Sequence, residues 1–94
     1  MENNPRVNVK EFIIDVETFI EGVGDDKLRI MLMELEMYMQ EYERSVAIAY
    51  LSGNCAHNKH LANIVLNGLY DDEVKEMMEL AKGKLNSEIE RRKV

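Results

Sequence analysis

The chain has 94 residues, of which 46% are hydrophobic and 32% are charged, and its net charge is −6 at pH 7. This length suits a single domain over residues 1–94, and the composition excludes a disordered chain and one embedded in a membrane. The acidic balance argues against direct nucleic-acid binding. The only basic cluster, Arg91–Lys93, lies at the end of the last predicted helix, where the helix dipole already favours positive charge.

Four helices are predicted, and the alternation of apolar and polar residues that is typical of strands is missing from the sequence. The first helix begins at Asn8, a favourable N-cap residue, and Glu11 completes a capping box. Residues 1–7 before it are expected to be flexible. The apolar stripe of this helix has helical spacing and consists of Val9, Phe12, Ile13, Val16, Phe19 and Ile20.

The second predicted helix is the longest and spans about residues 26–52, which corresponds to about 40 Å. The segment EGVGDD separates it from the first helix. Gly22 or Gly24 is expected to adopt the left-handed conformation that ends many helices. Asp25 or Asp26 is expected to cap the new helix, and the glycine of LSGN to end it.

Two shorter helices complete the chain. The third spans about residues 56–67, and the fourth is capped by Asp71 or Asp72 and continues to the C-terminus. Short connections make consecutive helices antiparallel neighbours. The sequence therefore predicts an all-α, four-helix bundle-like domain built around the long second helix.

The long helix has apolar residues on two opposite faces. Its core face covers a sector of about 120° and consists of Leu28, Met31, Leu32, Leu35, Tyr38, Met39, Tyr42, Val46, Ala49 and Tyr50. The second set consists of Ile30, Met33, Met37, Ile48 and Leu51. Either the other helices wrap around both faces or a second chain covers one of them. Since those helices are short and soluble monomers avoid large exposed apolar patches, we expect a homodimer.

The N-terminal part of the second apolar face is the predicted partner-binding site. Three apolar anchors and three charged neighbours form it: Ile30, Met33, Met37, Glu34, Glu41 and Arg44. Methionine adapts to varied surfaces, and apolar anchors inside a polar rim are typical of binding hot spots. Besides a second copy of the chain, the acidic neighbours favour a partner with a basic surface.

The only cysteine and the only two histidines lie close together in the segment NCAHNKH. Cys55, His57 and His60 are residue types that bind zinc, and three of them can share one ion with a further ligand. The usual structural zinc sites, however, draw their ligands from two separated pairs, and the chain has no second pair. We therefore interpret the segment as the polar first turn of a helix and predict no metal, no cofactor and no catalytic residue.

These patterns together are typical of a small, acidic, non-enzymatic protein-binding module, such as an adaptor, inhibitor or regulator of the kind that phages and plasmids encode. One alternative is a metal-binding or metal-sensing protein that uses Cys55, His57 and His60. A second alternative is a structural subunit of a larger assembly. A single cysteine, the lack of a secretory signal and the lack of an apolar run of about 20 residues favour a cytoplasmic protein without membrane contact.

Overall fold

A computed structural model of the chain describes residues 5–54 and 59–93, with backbone alone for residues 5–9, 59–61 and 63. Over the described residues the protein is all-helical, as predicted, but it has five helices in place of four. They are α1 (Pro5–Glu21), α2 (Asp25–Gln40), α3 (Arg44–Gly53), α4 (Lys59–Asn67) and α5 (Asp71–Arg92). Buried side chains from all five helices form one core. The radius of gyration of 12.9 Å is close to the value of about 12 Å expected for a compact domain of this length.

The long helix predicted over residues 26–52 is wrong as a single element, because the chain leaves the helix after Gln40 and enters a new one at Arg44. Glu43 has an extended backbone, with φ −144° and ψ 120°, and its carboxylate accepts a hydrogen bond from the Val46 N–H at 3.2 Å. It is therefore the N-cap of α3. The break contains neither glycine nor proline, so its cause lies in packing and not in local backbone preference.

The break allows α3 to fold back alongside α2. The Tyr50 hydroxyl donates to the Met31 carbonyl at 2.6 Å, although 19 residues separate them. The rings of Tyr38 and Tyr50 meet edge to face with centroids 5.3 Å apart, a favourable arrangement for aromatic pairs.

Because α3 folds back on α2, the face of α3 that is buried differs from the one that a continuous helix would bury. Ile48 and Leu51, which a continuous helix would place with the outer apolar set, lie in the core. Val46 and Ala49, which were predicted to be core residues, are exposed. The predicted core stripe is confirmed in α2, where Leu28, Met31 and Leu35 are buried. In α3 it is wrong for Val46 and Ala49, whereas Tyr50 is half-buried and packs against the core.

The central element is α5 and not the segment predicted to be the long helix. It is the longest helix, with 22 residues, and it contacts α1, α2 and α3. Lys82 pairs with Glu36 at 3.8 Å and Arg92 pairs with Asp25 at 2.8 Å, so α2 runs antiparallel to α5.

The remaining helices complete the bundle around α5. Lys84 pairs with Glu17 at 2.6 Å, and Arg92 donates to the carbonyls of Ile20 and Glu21 at 3.3 Å, so α1 runs parallel to α5. The short α4 contacts α1 and α3.

Several predicted helix ends are corrected. The first helix already includes residues 5–8 of the described chain, so it does not begin after an Asn8 cap. Gly24 is the N-cap of α2, so Asp25 and Asp26 occupy its first turn, where the helix dipole favours negative charge. No described glycine has a positive φ, so the predicted left-handed conformation at the α1–α2 turn is wrong.

The N-cap of α5 also differs from the predicted one. Asp71 is the first residue of α5 and Tyr70 is its N-cap, so neither of the predicted aspartates is the cap. The Glu73 carboxylate accepts the Tyr70 N–H at 2.9 Å, which satisfies a donor that precedes the helix. The predicted start of the third helix, near residue 56, lies outside the described residues.

Candidate protein-binding surface

The outer face of α2 carries three exposed apolar side chains in one line. Ile30, Met33 and Met37 are 53%, 67% and 51% exposed. At about 100° per residue they share a sector of about 60°, on the side of the helix opposite Leu28 and Leu35. Those two leucines are completely buried. The three exposed residues, which we call the α2 strip, therefore face away from the core that holds α2.

Charged residues border the α2 strip on both flanks, and their sign changes along the helix. Lys27 and Arg29 are exposed and lie toward the N-terminal end. Glu34 and Glu36 lie one to two turns later, and Glu36 is 3.8 Å from the Lys82 ammonium of α5. The two flanks of the strip are therefore basic at one end and acidic at the other, whereas the exposed Asp26 lies on the line of the strip itself at the basic end.

The two other predicted binding residues lie at the break between α2 and α3. Glu41 is exposed, and its N–H donates to the Met37 carbonyl at 2.9 Å, so it stays beside the strip. The Arg44 guanidinium points to the α4–α5 connection, where it bonds the Asp71 carboxylate at 3.1 Å and the Asn67 carbonyl at 3.0 Å. The structure thus brings Glu41 to the surface around the strip and engages Arg44 within the chain.

The residues around Arg44 form a cluster that serves the fold. The Tyr42 hydroxyl donates to Asp71 at 3.0 Å, and the Lys75 ammonium lies 4.8 Å from the centre of the Tyr42 ring. The hydrogen bond from Tyr42, followed by that from Arg44, lowers the pKa of Asp71. Burial, followed by the contact with Asp71, raises the pKa of Tyr42. These contacts tie the α2–α3 break to the first turns of α5.

Other exposed large apolar side chains are distributed over the rest of the described surface. They fall one to an element, on α1, α3, α4, the residue before α5, and α5, and are Ile14, Val46, Ile64, Tyr70 and Leu80. Exposed apolar residues that occur singly are normal for soluble proteins. The α2 strip differs because one helix aligns three of them.

The candidate metal ligands belong to the segment between α3 and α4 and to the first turn of α4. Cys55 and His57 lie outside the described residues, and of His60 only the backbone is described. Among the residues with described side chains, no group of three or more His, Cys, Asp or Glu is arranged to hold a metal ion.

The helices in the described ranges are too short or too polar for any of them to cross a bilayer. Comparison of the chain with known protein families, with curated proteins and with solved structures finds no match.

Proposed function

We propose that the protein is a small, non-enzymatic protein-binding module that acts through the α2 strip. The observation that supports this proposal is the alignment of Ile30, Met33 and Met37 on the helix face opposite the core. A helix that only contributes to a core has a polar outer face. Here the outer face aligns three side chains that are half to two-thirds exposed, and an exposed group of apolar side chains often marks an interaction site.

The chemistry of the α2 strip suits protein recognition. Methionine is unbranched and polarisable, so Met33 and Met37 can adapt to the side chains of a partner. Ile30 adds a more rigid anchor. The surrounding charges set the orientation of a partner and the rate of association.

Site-specific photo-crosslinking in the native host tests this proposal. A photoreactive phenylalanine analogue at position 33 is expected to give discrete crosslinked products, which mass spectrometry then identifies as a second copy or another protein. Met37→Glu in the same chain should reduce these products by about tenfold or more, because a buried charge disfavours an apolar contact.

The matched control places the same analogue at position 14 on α1, where Ile14 is also exposed. This control chain is expected to give no discrete product. Equal crosslinking from positions 14 and 33, or no product from position 33, would contradict the proposed function.

A further inference from the structure

The proposed binding role of the α2 strip raises the question of what occupies it. Resting on that role, we propose that the occupant is a second copy of this chain. The two α2 helices are antiparallel, and Ile30 of each copy packs against Met33 of the other.

The spacing along the outer face of α2 is that of a helix-pairing seam. Its central line runs through residues 26, 30, 33, 37 and 40, with alternating intervals of four and three residues. This is the spacing at which two helices interlock their side chains. The apolar α2 strip occupies the three middle positions, and Asp26 and Gln40 close the seam with polar groups.

The flanking charges complement one another when α2 meets its own copy in the antiparallel orientation. A two-fold axis perpendicular to both helices places each flank against the same flank of the other copy. With Ile30 opposite Met33, one flank then brings Lys27 of each copy near Glu34 of the second copy. The other flank brings Arg29 near Glu36 of the second copy. Each pair is offset by about two residues, or about 3 Å along the helix, which a long basic side chain spans.

Symmetry doubles both contacts, so the antiparallel arrangement has four attractive pairs at its rim. A parallel arrangement places each flank against the opposite one. Arg29 would then approach Glu34, but Glu36 would approach Glu41 of the second copy. Two attractive pairs and two repulsive pairs would result, and the positive ends of the helix dipoles would lie side by side. The charge pattern therefore selects the antiparallel orientation.

The proposed contact is small. The strip from Ile30 to Met37 covers about 10 Å of helix, so the buried area falls at the low end for specific interfaces. We expect a dissociation constant on the order of tens of micromolar, and weaker association at high salt because the rim pairs are exposed to solvent.

Charge exchange at the rim tests the pairing. Lys27→Glu with Arg29→Glu makes the rim acidic at both ends, and Glu34→Lys with Glu36→Lys makes it basic at both ends. Sedimentation velocity of the full chain, from about one to several hundred micromolar, should show each variant alone dimerising at least about tenfold more weakly than wild type. An equimolar mixture of the two should form heterodimers with an affinity within about threefold of wild type.

The matched control makes the same change in total charge as the variant with the acidic rim, but away from α2. Lys10→Glu with Lys93→Glu alters exposed residues on α1 and at the end of α5 and should leave dimerisation unchanged. Circular dichroism confirms that all variants stay folded. The proposal would be overturned if either rim variant alone dimerised as strongly as wild type, or if the mixture of the two formed no heterodimers.

Disulfide trapping determines the relative orientation of the two α2 helices. In a Cys55→Ser background, Asp26→Cys and Met37→Cys are prepared as separate chains and mixed under mild oxidation. The antiparallel register brings positions 26 and 37 of different copies together, so the mixed disulfide should dominate. Like-with-like disulfides would indicate a parallel pair and would overturn the proposed orientation.

The oligomeric state and the crosslinking from position 33 together distinguish this inference from the proposed function. A wild-type monomer that crosslinks from position 33 to a different protein would refute the second copy as occupant while supporting the binding role. A monomer without crosslinks would refute both.

Discussion

Arg92 joins α5 to the end of α1 and to the start of α2. Its guanidinium donates to the Val23 carbonyl at 2.6 Å and to the Asp25 carboxylate at 2.8 Å, and it reaches two carbonyls at the end of α1. The last carbonyls of a helix have no partner within it. On its inner side Arg92 donates to Glu88, the only charged residue among the described side chains that is buried. One side chain therefore caps one helix and neutralises a buried carboxylate.

Replacement of Arg92 should consequently destabilise the fold much more than replacement of its neighbour. Arg92→Met removes the cap of α1 and one partner of Glu88, and we expect the melting temperature to fall by about 5–10 °C. Arg91 also bonds Glu88, but among the described residues it makes no hydrogen bond to α1, and its side chain is 68% exposed, compared with 22% for Arg92. Arg91→Met should therefore lower the melting temperature by about 2 °C or less in the same thermal scan. Equal losses in the two variants would contradict the capping role.

The pH dependence of stability should reveal the same site. The hydrogen bonds from Arg92 and then Arg91 lower the pKa of Glu88 below its ordinary value of 4.5. The folded protein therefore binds this proton less tightly than the unfolded chain does, so the stabilisation is present above pH 4.5 and is lost as the pH falls through the folded pKa. Glu88→Gln should be less stable than wild type at neutral pH, and urea unfolding should show the difference shrinking below about pH 4.5. A difference that is constant between neutral and acidic pH would contradict this assignment.

Tyr50 should give a separate transition at alkaline pH when the tyrosines of the folded protein are titrated. Burial, the largest influence, raises its pKa to about 12 from an ordinary value of 10.0, and Glu34 adds to the shift. In a spectrophotometric titration of the folded protein, Tyr50→Phe should remove the most alkaline of the tyrosine transitions. Because the folded pKa is the higher one, this residue stabilises the fold below pH 10 and loses that effect as the pH rises toward 12. Tyr70→Phe, which changes an exposed tyrosine, is the control and should leave the most alkaline transition in place.

At the scale of the elements, the break between α2 and α3 decides which residues form the core. It turns Leu51 inward and leaves Val46 on the surface, the reverse of what a continuous helix would do. Leu51→Ala should cost about 2–5 kcal/mol in the free energy of unfolding, as expected for a buried leucine. Val46→Ala should change that free energy by about 0.5 kcal/mol or less. Urea unfolding of both variants measures the contrast, and a larger loss at Val46 would show that the helix continues through residues 41–43.

The helical segments were predictable from sequence because their apolar residues recur at helical spacing over two or more turns. The break was harder to predict, since Gln40–Arg44 contains no residue that disfavours a helix strongly. One feature of the sequence indicates the break: the outer apolar set is interrupted at these polar residues, so the buried face changes there. Packing then overrides local preference, because only a folded-back α3 buries Ile48 and Leu51.

Contacts between distant residues had no sequence signal of this kind. The basic end of the chain was explained by the dipole of its own helix, and this is correct for the position of Arg91 and Arg92 in the last turn of α5. The bonds from Arg92 to the end of α1 span about 70 residues and depend on the tertiary fold. At the candidate surface, helical spacing marks Ile30, Met33 and Met37 in the sequence. Lys27 has no such signal, because a single lysine beside two aspartates resembles an ordinary surface position.

For the molecule as a whole, the position of α5 explains why the α2 strip is uncovered. Helices α1, α2 and α3 pack around α5, and α2 uses one face for this contact while α3 covers a neighbouring side. The remaining face of α2 has no helix of the described chain left to meet. The contact between molecules proposed above would use this face, and the proposal leads to a test that needs no knowledge of a foreign partner.

The melting temperature of the wild-type protein should rise with its concentration. If folded chains associate and unfolded chains do not, mass action favours the folded dimer. A tenfold increase, from about 20 to about 200 micromolar, adds about 1.4 kcal/mol per dimer and should raise the melting temperature by about 2–4 °C. Met33→Glu with Met37→Glu places charges in the contact, so the melting temperature of this variant should not depend on concentration. Ile14→Glu, a charge at an equally apolar exposed site on α1, should keep the wild-type dependence. A wild-type melting temperature that is the same at both concentrations would mean that the α2 strip does not bind a second copy in this range.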